Sequence, residues 1–259
     1  MNGMTRMTIY LKALSAVALA AAFIGCGASD VPVGATPQEK FAHAMERYES
    51  EDYFEAIQEF EAITLQYPGS VVADDAQYYL GMARFKREEY LIAAYEFGRL
   101  IRTISGSEFV PDAQYMLGES YYQLSPPYPL DQEYTKKAID ELQAFVDFYP
   151  LDERATNAAN KIVELNLKLA EKEFTNGVIY EKMDYDRAAL NVYHNVAQIF
   201  HDTPFAKEAI YKRIQLFIDR EETEDAREEI EEYLRRYDDE RRGELEDLRE
   251  ELKRQSASR

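Results

Sequence analysis

The chain has 259 residues, 46% of them hydrophobic and 13% aromatic, which is enough to bury a core and too aromatic for global disorder. Thirty basic against 49 acidic side chains give a formal net charge of −19, and with no compact Lys/Arg stripe this argues against nucleic acid as a partner. Cys26 is the only cysteine, which excludes an intramolecular disulfide framework and any metal site built on two or more thiolates.

Residues 1–25 read as an export signal. Arg6 and Lys12 are their only charged side chains, and the apolar run 13–24 follows. Twelve helical residues rise about 18 Å, too little to cross a hydrocarbon core of about 30 Å, so the segment is expected to be a cleaved leader. It ends in Phe23-Ile24-Gly25-Cys26, which resembles the lipobox of bacterial lipoproteins, where the cysteine is lipidated and becomes the mature N-terminus. Phe23 departs from the more usual Leu. Gly27, where an Asp would signal retention, resembles the outer-membrane sorting pattern. Lipidation at Cys26 would tether the working part of the protein to the periplasmic face of the outer membrane, since more than one acyl chain gives stable attachment. Removing the leader leaves 28 basic and 49 acidic side chains, a net charge of −21. Residues 26–38, rich in small residues and proline, read as a flexible tether.

Beyond the tether the chain repeats itself. Asp75-Ala-Gln-Tyr78 returns as Asp112-Ala-Gln-Tyr115, and Leu80-Gly81 as Leu117-Gly118, each displaced by 37 residues. Ala56, Phe60, Ile63 and Tyr67 mark one face of a helix at i, i+4, i+7 and i+11. That face recurs as Ala93, Phe97, Leu100 and Ile104; as Ala138, Leu142, Phe145 and Tyr149; as Ala189, Tyr193, Val196 and Phe200; and as Ala226, Ile230, Tyr233 and Tyr237. A fixed period of this length signals stacked supersecondary units. The predicted fold is all-α, an α-solenoid of five helical hairpins over residues 39–240, at about 39–70, 71–107, 108–152, 153–203 and 204–240. The unit resembles the tetratricopeptide repeat, although the chain has no Trp and the third and fourth units are lengthened. Ser125–Gln132, with its paired prolines, interrupts the third hairpin because proline cannot continue a helix. The fourth unit opens with a long helix, predicted from Glu153 to Tyr180 with a weak point at Asn176-Gly177. Residues 241–259 form a charged C-terminal helix or tail with Leu245, Leu248 and Leu252 on one stripe, a candidate cap for the array.

Catalysis needs a nucleophile, base or metal in convergent geometry, and the sequence offers no such constellation. His43, His194 and His201 are spaced poorly for metal binding, although the last two could share one face of the fourth unit's second helix. No catalytic residue, metal or cofactor is expected. A binding surface is the better expectation. In the tetratricopeptide register the concave wall comes from first-helix positions turned away from the second helix: Phe41, Met45 and Tyr48; Tyr78, Met82 and Phe85; Tyr115, Glu119 and Tyr122. Such a column of aromatics and methionine suits adaptable recognition of an apolar peptide. The alternative is that some of these rings belong to the core between repeats.

A lipobox, five tetratricopeptide-like hairpins and longer third and fourth units together resemble the BamD family of outer-membrane assembly lipoproteins. The likeness runs from Phe41 to about Tyr237. It rests on Ala56-Ile57-x-x-Phe60 with Tyr67-Pro68, the Asp-Ala-Gln-Tyr repeats and the extended helix before the fourth hairpin. It implies a non-enzymatic scaffold that docks a BamA-like barrel-forming subunit, chiefly through its C-terminal units, and helps recognise and insert unfolded outer-membrane proteins through its N-terminal ones. A periplasmic tetratricopeptide partner of the Tol-Pal envelope system shares the unit length and the Asp-Ala-Gln-Tyr helix start. Those proteins typically place a coiled coil before the repeats, whereas here the tether runs directly into the first hairpin.

Overall fold

Helix signals dominate from the first described turn. The computed structural model describes residues 34–257, with side chains to residue 255, so Cys26 and the leader lie outside the described residues. Thr36 and Glu39 close a capping box on α1 (Pro37–Glu49): the Glu39 amide donates to Thr36 Oγ1 at 3.3 Å and the Thr36 amide to Glu39 Oε2 at 2.8 Å. Ten further helices follow, α2 (Tyr53–Gln66), α3 (Ala73–Lys86), α4 (Tyr90–Thr103), α5 (Val110–Leu124), α6 (Glu133–Phe148), α7 (Ala155–Lys182), α8 (Asp186–Ile199), α9 (Pro204–Asp219), α10 (Thr223–Arg236) and α11 (Arg242–Ala257). Each packs on its successor, so α1/α2, α3/α4, α5/α6, α7/α8 and α9/α10 are stacked antiparallel hairpins of an α-solenoid, and α11 packs on α10. The first helices of successive hairpins touch along one layer, as where Tyr48 meets Tyr79 and Tyr115 meets Asn157.

One turn design recurs in four hairpins. The first helix ends in a residue with positive φ: Glu51 (64°), Glu88 (62°), Asp184 (58°) and Glu221 (57°). The following amide reaches back to the carbonyl five residues earlier, as in Asp52 to Arg47 at 2.9 Å and Glu222 to Phe217 at 2.9 Å. This is the Schellman closure, which satisfies helix-end carbonyls at the expense of a left-handed residue. The third hairpin lacks it. There Gln132, 4% exposed, donates to the carbonyls of Pro127 and Leu130, both at 3.0 Å, and holds the proline-rich insertion in one shape.

The seam between helices follows the recurrent face. The first three members of all five sets, Ala56, Phe60 and Ile63 through Ala226, Ile230 and Tyr233, are fully buried, and the fourth member of each is half-buried. Opposite the large second member sits a small residue seven positions before the turn. A methyl on Gly81 would meet Phe97 at 2.7 Å, one on Gly118 would meet Leu142 at 2.7 Å, and one on Gly177 would meet Tyr193 at 2.5 Å. In the fifth hairpin the corresponding pair is Ile214 and Ile230, both buried, so a medium residue on each side replaces the small and large pair. Gly177 is therefore a packing position, and α7 runs through Asn176-Gly177 unbroken.

At 28 residues α7 is about 42 Å long, twice the length of α8. Its N-terminal half stacks on the third hairpin and its C-terminal half pairs with α8. Leu245 and Leu252 of α11 are buried in the core shared by α8–α10, and Leu248 packs against it, so the charged segment is a cap.

Candidate binding face of the first helices

Successive first helices bring the nine predicted groove residues onto one face, and all are half-buried except Glu119, which is 9% exposed. Phe41, Met45 and Tyr48 pack against the core of the first hairpin and α3. Phe41 lies 5.8 Å from Phe60 and 6.1 Å from Tyr79, and Tyr48 meets Tyr79 edge-on at 5.4 Å. Tyr78, Met82 and Phe85 pack against the core of α4 and α5. Tyr78 stacks on Phe109 at 4.6 Å, and Phe85 meets Tyr90 edge-on at 5.1 Å. Burial pushes the phenols of Tyr48 and Tyr78 up to about 12, so both remain neutral hydrogen-bond donors across the physiological range. Each ring thus has one edge in the core between repeats and the other on the face.

The third set is more polar because α7 lies directly over it. Tyr115 OH donates to Asn157 Oδ1 at 3.0 Å, and its ring lies 5.1 Å beneath the Arg154 guanidinium. Glu119 pairs with Lys161, and Tyr122 OH donates to Glu164 Oε2 at 2.8 Å, with Lys161 4.4 Å over its ring. That carboxylate bond raises the Tyr122 phenol to about 12. Asp112 with Arg154 at 2.6 Å, Ser125 with Lys168 at 2.9 Å and the Leu130 carbonyl with Lys172 at 2.6 Å extend the same ladder. Six partners offset by 42 or 43 residues bolt α7 onto the third hairpin.

Two buried polar clamps complete the layer. Gln77 Nε2 donates to the Glu96 carbonyl at 3.1 Å and to its Oε2 at 2.7 Å; Gln114 does the same to Glu141 at 3.0 and 2.9 Å. The glutamine of each Asp-Ala-Gln-Tyr stretch thereby ties the first helix of its hairpin to the second. The repeated motif was visible in the sequence, but which member faced inward was not.

The histidines do not converge. His43 Nδ1 meets Glu59 Oε2 at 2.7 Å, His194 Nδ1 lies 3.1 Å from Arg213, and His201 pairs with Asp202 at 2.6 Å. Since α8 ends at Ile199, His201 sits in the following turn and not on the helix face with His194. Among the described residues no three His, Cys, Asp or Glu side chains are placed to hold a metal ion, and no helix is long and apolar enough to cross a membrane. A charged cleft of about 380 Å³ between α8, α9 and α10 contains the pair Arg213–Glu229 at 2.6 Å. Burial lowers the first group's pKa and raises the second's. A second cleft, about 400 Å³, lies where Ile199 and Phe200 meet Asn166 and Leu169 of α7.

Residues 34–231 match the YfiO family, described as an outer membrane lipoprotein. Similar solved structures include a thermophilic TPR protein from Thermus thermophilus, at 16% identity over 84% of this chain and 97% of that one, with a TM-score of 0.36. The TPR2AB domain of yeast Sti1 in its pHSP90 complex is 13% identical over 84% and 98%, with a TM-score of 0.39. A putative protein binding protein from Bacteroides ovatus is 15% identical over 85% and 99%, with a TM-score of 0.34. A comparison with curated proteins finds no match.

Proposed function

The chain belongs to the YfiO, or BamD, family of outer membrane lipoproteins, and from that premise we propose that it is a lipid-anchored, non-catalytic scaffold of β-barrel assembly. In this reading Cys26 carries the anchor, the C-terminal hairpins dock a BamA-like barrel-forming subunit, and the face of α1, α3 and α5 takes apolar, aromatic-ended segments of unfolded outer-membrane proteins. The observation that carries it is the column of half-buried aromatic and methionine side chains on that face. Rings fixed on one edge by the core have already lost most of their rotamer freedom, so contact with a peptide costs little further entropy.

Affinity purification from detergent-solubilised envelopes tests the assembly role. Co-isolation of a BamA-like barrel protein is expected; its consistent absence, with a Tol protein present, would move the chain to the Tol-Pal system. The groove has its own test. Tyr78→Ala with Tyr115→Ala should weaken binding of a peptide with an aromatic C-terminus while leaving helical circular dichroism intact. Unchanged binding, or loss of the helical signal, would remove these rings from the recognition surface.

A further inference from the structure

The proline-rich insertion of the third hairpin and the extra length of α7 meet at one place. The side of α7 that faces α5 carries Arg154, Asn157, Lys161 and Glu164, each paired across the ladder. At helical spacing that side runs on past the end of α5 as Lys168, Lys172, Thr175, Ile179, Lys182 and, just beyond the helix, Met183. The opposite side is covered by α8 and α9, where Phe174 lies 5.5 Å from Phe205 and Gly177 backs onto Tyr193. The insertion reaches as far as Lys172, whose ammonium donates to the Leu130 carbonyl at 2.6 Å and to that of Pro129 at 3.4 Å. Past this point Ile179 and Met183 stand 49% and 52% exposed on a ledge.

The ledge is cationic in a chain whose net charge is −19. Lys168 donates to Ser125 Oγ at 2.9 Å and Lys172 to the two carbonyls, and among the described residues neither they nor Lys182 form an ion pair. An ammonium has three donors, so both inner lysines keep spare capacity. The acids of this half of α7 lie off the ledge. Glu181 accepts from Tyr193 at 2.7 Å and from Lys212 at 3.0 Å, Glu173 accepts from Asn176 beside the second cleft, and Glu171 sits on the flank. In the insertion Asp131 accepts from the Glu133 amide at 2.9 Å. Glu164 and Asp184 bound the cationic stretch at its two ends.

We propose that this ledge reads the C-terminus of the bound segment: Lys168 and Lys172 take its terminal carboxylate, and Ile179 and Met183 take the apolar side chains that precede it. The proposal rests on the reading above, that the chain binds aromatic-ended segments of unfolded outer-membrane proteins. It extends the face assigned to them, because Tyr122 is tied through Glu164 to the turn of α7 before Lys168. A carboxylate on an ammonium gains charge-assisted hydrogen bonds. Ile179 and Met183 are one helical turn apart, about 6 Å, close to the roughly 6.6 Å between same-side residues of an extended strand, and barrel strands alternate apolar with polar side chains. An anionic membrane surface would meet Glu164 and Asp184 as well as the lysines, whereas a single carboxylate need not.

The test uses the full chain in phosphatidylcholine nanodiscs and an N-terminally labelled peptide of alternating apolar and neutral polar residues ending in Phe, made once with a free carboxylate and once as the C-terminal amide. Fluorescence anisotropy is expected to show the acid bound about tenfold more tightly than the amide. The net charge of the chain favours the opposite order, so the sign of the difference is decisive. Lys168→Gln with Lys172→Gln keeps donors for Ser125 and the Leu130 carbonyl and should bring the acid to the affinity of the amide, whereas Ile179→Ser should weaken both peptides alike. Equal affinities, or a preference for the amide, in the unaltered protein overturn the inference and leave the segment-binding reading standing. Only the peptide differs in that comparison, so no folding defect can imitate the result. An acid preference that survives in the double variant also overturns the inference. Failure of both peptides to bind removes the reading and the inference together. An acid preference that disappears when phosphatidylglycerol is introduced into the discs assigns the lysines to a lipid headgroup and likewise overturns the inference.

Discussion

A methyl group added at two different glycines should have opposite consequences. At Gly177 it would run into the buried Tyr193 ring, whose hydroxyl is held by Glu181 at 2.7 Å, so the ring cannot swing aside. Gly177→Ala is expected to destabilise by roughly 1–3 kcal/mol, the usual range for overpacking. At Gly98 the obstacle is only the tip of Arg102, which can move, so Gly98→Ala should gain roughly 0.5–1 kcal/mol from helix propensity. Urea midpoints of the two variants, shifting in opposite directions, check both. The sequence made the large seam residues legible because their spacing repeats five times, and it marked Gly81 and Gly118 by their repetition. It misplaced Gly177 as a weak point because a glycine in a helix reads alike whether it loosens the helix or admits a ring. The clamps Gln77–Glu96 and Gln114–Glu141 were hidden for a related reason: repetition reveals that a residue matters but not its rotation about the helix axis. Gln77→Ala leaves the Glu96 carboxylate, 7% exposed, with Arg99 at 3.5 Å as its remaining partner, and should cost about 1–3 kcal/mol by the same measurement.

At the scale of elements, the prolines and the helical period located the hairpins, but the turn geometry was not legible. Each of the four Schellman turns uses an acidic residue where glycine would be relaxed. A left-handed conformation costs a residue with a side chain about 1–2 kcal/mol, part of which glycine gives back in unfolded-chain entropy. Glu88→Gly and Glu221→Gly are each expected to stabilise by about 0.5 kcal/mol, read as a rise in thermal midpoint. The α5–α7 ladder was equally invisible, because an offset of 42 residues belongs to neither helix and is set by how the third hairpin stacks on the fourth. Arg154, which the ladder ties to Asp112, also pairs with Asp152 in the turn before α7 at 2.8 Å, and the acid response of that local pair is calculable in sign. Hydrogen bonding from Arg154 holds the Asp152 carboxyl down at about 2, below the roughly 3.9 of an unfolded chain. The stabilisation is therefore complete above about pH 4 and disappears as the pH falls through about 2. In Asp152→Asn the dependence of the urea midpoint on pH should flatten within that window and remain unchanged at neutral pH and above.

The described residues are held by four hydrophobic clusters arranged along the chain, one for α1–α3, one for α3–α5, one for α5–α7 and one for α7–α11. Stability in such an array is close to a sum of local and nearest-neighbour contributions, so damage at one end should stay there. The cap offers the sharpest test, since Leu245 and Leu252 are buried only by the last cluster. Leu245→Ala and Leu252→Ala each remove a buried side chain, at roughly 2–5 kcal/mol. The charged remainder of α11 has few apolar contacts to compensate. Amide exchange should therefore quicken through α9 and α10 while α1–α3 exchange as in the unaltered protein. The ion-pair ladder between α5 and α7 is where the effect should fade, because it couples the third hairpin to α7 through contacts that do not involve the terminal core. Uniform acceleration from α1 to α10 would show instead that the five hairpins unfold as one cooperative unit, and that the clusters are coupled through the layer of first helices.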